Sequence, residues 1–208
     1  MITKCIGFLI MVICVLGFSQ AQITIAIQPQ RSDTLFIRQN ELLRQAKLNG
    51  DLLKEAQALQ RMGQICYQMG LFTQSLNYHM KADEIYRADK NERQMANNLN
   101  ELALLFLITK QENDARVSYF NALTIFQRLG DHKEIARTYA YIGHFYEKLV
   151  NHDSAYFYQE KAMGIFERIG DAEGLALVHE NLGSIYEDKL QFDKAYFHFS
   201  KALDWFEQ

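Results

Sequence analysis

Paired cysteines, prolines, charge of one sign and long apolar runs are all scarce in this 208-residue sequence, and each scarcity removes a class of protein. The three cysteines are Cys5, Cys14 and Cys66. The first two fall in a stretch expected to be removed on export, which leaves Cys66 alone and excludes an intramolecular disulfide, so stability must come from packing. The net charge is -3 and charged residues are interleaved without like-charge blocks, which supplies no basic footprint for DNA or RNA. The longest apolar run, Cys5 to Phe18, spans 14 residues. As a helix it would measure about 21 Å, short of the roughly 30 Å hydrocarbon core. With Lys4 before it and Ser19-Gln20-Ala21 after it, the run reads as a signal peptide, residues 1–21, cleaved after Ala21 and leaving no stable membrane span. The chain is therefore expected to be exported, to the periplasm or beyond. The only proline, Pro29, lies among polar and β-branched residues without helical period, so residues 22–32 read as a linker.

Catalytic signatures are missing as well. There is no glycine-rich phosphate loop, nucleophile elbow, paired-cysteine metal site or histidine pair with an intervening glutamate. No catalytic residue, metal ligand or cofactor is expected.

What is present is a repeat of 40 residues. Alanine recurs as Ala56, Ala96, Ala136, Ala176 and as Ala82, Ala122, Ala162, Ala202. Two more columns stay small: Gly63, Ala103, Gly143, Gly183 and Ser75, Ala115, Ala155, Ala195. Large apolar residues follow the same step, as in Met62, Leu102, Ile142, Leu182 and in Ile65, Leu105, Phe145, Ile185. Their spacing draws the buried stripe of a helix. Asp51, Asn91, Asp131 and Asp171 are N-cap residues for the first helix of each unit. Thr73, Asn113, Asp153 and Asp193 are read as caps of the second. The predicted organisation is a capping helix over 33–50 and four helical hairpins over 51–90, 91–130, 131–170 and 171–208.

The order of these columns resembles the tetratricopeptide repeat. Its clearest copies are Leu182-Gly183 with Tyr186, Ala195, Phe199 and Ala202, and Ile142-Gly143 with Tyr146, Ala155 and Ala162. The period exceeds the usual 34 residues and the closing proline is absent, which lengthening of both helices and a glycine-aspartate junction explain. The resemblance implies an all-α fold, an α-solenoid of antiparallel hairpins in a right-handed superhelix. It also implies a non-catalytic scaffold that binds a protein or peptide on its concave face.

Mapped onto this sequence, that face includes Gln57, Gln60 and Gln64, then Asn97, Asn100 and Glu101, then Arg137, Tyr141 and His144, and finally Glu180, Asn181 and Ser184. Amide side chains there can both donate to and accept from a peptide backbone. The clustering of Asn97, Asn98 and Asn100 in one helix favours a ligand role, since asparagine is a mediocre helix former. A second reading is the extracytoplasmic sensor portion of a signalling protein, such as a histidine kinase or regulator with these repeats. Ala202, Leu203, Trp205 and Phe206 have no following helix to cover them, so a cover is expected: a second copy through the C-terminal helix, another protein, or further repeats of a longer chain.

Overall fold

A computed structural model describes the backbone of residues 20–206 and the side chains of residues 32–204. The proposed signal peptide, apart from its last two residues, lies outside the described residues. The chain forms α1 (Gln20–Leu48), α2 (Leu52–Gln68), α3 (Phe72–Ala88), α4 (Glu92–Ile108), α5 (Glu112–Leu129), α6 (His132–Lys148), α7 (His152–Ile169), α8 (Ala172–Asp188) and α9 (Phe192–Phe206). No strand occurs among the described residues. Each helix packs on its chain neighbours, and α4, α6 and α8 also touch in succession. The result is an all-α solenoid, with the even-numbered helices forming one layer.

From α2 onward, a helix begins every 20 residues, at 52, 72, 92 and so on to 192. The link that sets this pitch is the same each time. Gly50, Gly70, Lys90, Lys110, Gly130, Val150, Gly170 and Leu190 all have φ between 55° and 74°. The amide of the following residue then donates to the carbonyl five positions back, from Asp51 to Ala46 through Gln191 to Tyr186, at 2.8–3.1 Å. This is the Schellman closure of a helix. It returns the chain at once into the next helix.

The first-helix caps are as expected. Side chains of Asp51, Asn91, Asp131 and Asp171 accept from the backbone N–H of Lys54, Gln94, Glu134 and Gly174. The second-helix caps are not. Those helices start at Phe72, Glu112, His152 and Phe192, so Thr73, Asn113, Asp153 and Asp193 stand inside the first turn. Asn151 caps Ser154 with its side chain, whereas Leu71 and Gln111 occupy the cap without such a bond. The physical reason is the position of the Schellman link, which puts the residue after the left-handed one at the cap, Leu71, Gln111 or Asn151, two places before the residues expected there.

Residues 22–32 also differ from the expected linker, because α1 runs through them and through Pro29. Proline's fixed φ is close to a helical one, and its missing N–H removes one backbone bond.

The small columns are fully used. Ala56, Ala82, Ala96, Ala122, Ala136, Ala155, Ala162 and Ala176 are all completely buried. A Cβ added at Gly63 would come within 2.5 Å of the His79 ring, and at Gly143 within 2.5 Å of the Gln159 amide. The second helix thus lays a large side chain across the small residue of the first. His79, Tyr119 and Gln159 do so in successive units, at 1%, 2% and 0% exposure. Of the run Tyr156-Phe157-Tyr158, Tyr158 stacks on Tyr146 at 5.5 Å between ring centroids, while Phe157 remains exposed. Cys66 is buried, and burial pushes its thiol pKa up.

Candidate functional site

The even-numbered helices bury one stripe in the core and turn another toward a common concavity. On α4 that inner stripe is Gln94, Asn97, Glu101 and Leu104, spaced by three and four residues as one helical face requires. On α6 the same positions hold Glu134, Arg137, Tyr141 and His144. Leu177 and Asn181 extend the wall from α8, and Gln60, Gln64 and Tyr67 close it from α2. These residues, with Asn100 and Tyr119, enclose a groove of about 570 Å³. That volume lies within the range of ligand sites.

Seven of the nine expected site residues meet here: Asn97, Asn100, Glu101, Arg137, Tyr141, His144 and Asn181. Glu180 lines an adjoining hollow with Arg137, Tyr141, Glu173 and Leu177. Ser184 lines neither, although it shares a column with Gln64, Leu104 and His144. Its side chain is short and it stands a turn beyond Asn181, toward the end of α8.

Two asparagines have structural work. Asn98 is completely buried; its Nδ2 donates to the His79 carbonyl at 2.8 Å and its Oδ1 accepts from His79 Nδ1 at 2.8 Å. It pins one unit to the next and is removed from the ligand cluster. Asn100, 6% exposed, donates from Nδ2 to Thr138 Oγ1 at 2.9 Å, and Thr138 donates to the Glu134 carbonyl. That chain ties α4 to α6 beneath the groove. Asn100 Oδ1 has no hydrogen-bond partner.

Arg137 donates to Glu134 at 3.2 Å and approaches Glu173 at 3.7 Å. His144 Nδ1 lies 3.2 Å from Oε2 of the buried Glu147. Tyr119 and Tyr141 sit 6.4 Å apart, ring to ring. Burial raises both phenol pKa values, and the nearby Glu101 carboxylate adds to the rise.

Sequence reasoning missed Tyr119, which reaches the groove from α5 in the second layer. The signal was available: the small residue at 103 lets the second helix come close enough for its large partner to reach through. Among the described residues, no cluster of three histidine, cysteine or carboxylate side chains suits a metal ion, and no helix is long and apolar enough to cross a membrane.

The family model described as "SNAP: Soluble NSF attachment protein" matches residues 96–208. No curated protein matches the chain. Among solved structures, BtubC (BKLC) from P. vanneervenii is similar at 22% identity and a TM-score of 0.71, covering 89% of this chain and 78% of that one. A Rap protein complexed with Competence and Sporulation Factor is similar at 18% identity and a TM-score of 0.74, covering 88% of this chain and 51% of that one. Aspartyl phosphate phosphatase F from Bacillus subtilis is similar at 21% identity and a TM-score of 0.68, covering 89% and 52% respectively. This chain spans about half the length of the latter two. At these identities the likeness establishes the helical-repeat fold.

Proposed function

Given that the chain belongs to the soluble NSF attachment protein family, we propose that it is a non-catalytic scaffold holding a protein or peptide partner in the groove of its even-numbered helices. One observation carries the reading: nine polar or aromatic side chains, from Asn97 to Asn181, converge on one concavity of about 570 Å³. The Rap protein of similar fold was solved with Competence and Sporulation Factor, which supports a binding role for this architecture. The mechanism is preorganisation. Helices fixed by their own core present the groove ready-made, so a partner mainly loses its own freedom on docking. Asparagine and glutamine side chains serve backbone amides and carbonyls without demanding one side-chain sequence.

Export belongs to the same proposal and rests on the pattern of residues 1–21. Mass analysis of the native protein should find an N-terminus at Gln22; a chain that retains Met1 would refute it. Self-association is proposed for the outer face of α9, where Phe192, Tyr196, Phe197 and Leu203 are exposed. Sedimentation that shows only monomer up to high concentration would refute that part.

The groove itself is tested with Asn97→Ala/Asn181→Ala, since both residues line it and neither has a hydrogen-bond partner among the described residues. Partners captured from the native envelope fraction by the wild type should be lost from this variant at unchanged melting temperature. Equal recovery would refute the groove.

A further inference from the structure

The charges in the groove are unevenly satisfied. Arg137 is the only lysine or arginine lining the groove or the adjoining hollow among the described residues, and it is engaged by Glu134 and Glu173. His144 is engaged by Glu147. Glu101, half-buried on α4, has neither a hydrogen bond nor an ion pair among the described residues. Glu180 on the rim is in the same position. Beside Glu101, Asn100 borders the groove, but its unpaired Oδ1 is closed off from solvent and so offers a ligand no contact. A carboxylate that no ion pair offsets leaves the groove with a negative potential that attracts cations. The unmet need in this groove is therefore for positive charge.

Its walls are suited to the same guest. Tyr67 and Tyr141 line the concavity around Glu101 with part of their rings exposed, and the faces of tyrosine rings attract cations. An anionic ligand would meet Glu101, Glu134, Glu173 and Glu180 with one already-paired arginine to offset them.

We propose that the groove seats an organic cation, the ammonium or guanidinium of a basic residue in a peptide partner, with Glu101 as counter-ion and Tyr67 and Tyr141 as aromatic walls. The proposal rests on the groove being the binding face. It adds the chemistry of what binds. A free polyamine offers the same charge, and the test separates the two sources.

The experiment selects a random heptapeptide phage library on the purified full chain, with spermidine as a competing arm. Selected sequences should be enriched in lysine and arginine. A synthetic winner should lose at least tenfold in affinity on Glu101→Gln, with the melting temperature unchanged, and a similar amount when its basic residue becomes glutamine. Affinity should also weaken as salt rises. Uncharged or acidic winners, or indifference to Glu101→Gln, overturn the proposal. If such winners still depend on Asn97 and Asn181, the groove stands and only the cation falls; winners indifferent to all three residues overturn both. Spermidine binding more tightly than every selected peptide overturns the peptide source.

Discussion

Replacing Gly143 with alanine sets helix propensity directly against packing. Alanine in a helix interior is favoured over glycine by about 1 kcal/mol. Here, however, the new Cβ would lie 2.5 Å from the Gln159 amide nitrogen and 3.1 Å from the Ala155 carbonyl oxygen. Gln159 is completely buried, and its Nε2 donates to the Ala140 carbonyl at 2.9 Å. Its Oε1 already lacks a partner, so the side chain has no second bond to fall back on. Overpacking costs about 1–3 kcal/mol. Leaving a buried donor unpaired costs about 1–3 kcal/mol more. After the propensity gain the variant should be destabilised by about 1–5 kcal/mol, a fall in Tm of roughly 2–20 °C for a chain of this size. Thermal melts followed by circular dichroism at 222 nm read this directly. Gly164 is the internal control, because it is exposed on α7 with nothing within 4 Å of an added Cβ. Gly164→Ala should stabilise by about 0.5–1 kcal/mol. In a Gln159→Ala background, Gly143→Ala should lose most of its penalty, keeping only the part due to the Ala155 carbonyl. If Gly143→Ala with Gln159 intact melts at or above the wild type, the helix-crossing argument is wrong.

Val150 is a β-branched residue at φ 59°, exposed at a turn tip, so Val150→Gly should stabilise by about 1 kcal/mol in urea titration; a loss of stability would refute the strain. Burial holds the His79 imidazole below its ordinary pKa, with the bond to Asn98 opposing in part, and burial lowers His179 and His198 as well. The unfolded chain takes up these protons near pH 6.5 while the folded chain resists, so stability should fall as pH drops from about 7 through 6.5 toward the folded values. His79→Gln, the residue type that Gln159 places in the same column, should flatten that slope; an unchanged slope would refute it. Asn98→Ala removes both bonds to His79 and should cost about 1–3 kcal/mol in the same denaturation assay without altering groove binding. An unchanged midpoint would show that the inter-unit bonds contribute nothing.

The core was legible because packing writes itself into residue size. Alanine at 56, 96, 136 and 176 has no exposed surface, and a column that admits no side chain beyond a methyl group is visible as a repeat. The second-helix starts were not legible, because backbone bonds close the turns. Lys110, Val150 and Leu190, which precede three of those helices, adopt the left-handed conformation that glycine signals elsewhere, and nothing in their composition announces it. Asn98 was misread for a related reason. Asparagine inside a helix signals a hydrogen bond that compensates its poor propensity, but not whether the partner is a ligand or, as here, the next unit. Tyr119 was missed because the groove was read from the first helices alone, while a small residue in one layer admits a large one from the other.

Those two kinds of column divide the labour between fold and recognition. Positions that repeat faithfully meet other helices, whereas the inner stripe varies freely: Gln57, Asn97, Arg137 and Leu177 share one column, and Gln64, Leu104, His144 and Ser184 another. Such variation is tolerated because most of those side chains support no neighbouring backbone. Asn100 is the exception. Its bond to Thr138 joins α4 to α6 under the groove, so truncating it disturbs the scaffold and the site together. Asn97, one turn earlier on the same face and without a partner among the described residues, reports on binding alone. A variant series that moves outward from Asn100 to Asn97 therefore separates what holds the groove in shape from what the groove holds.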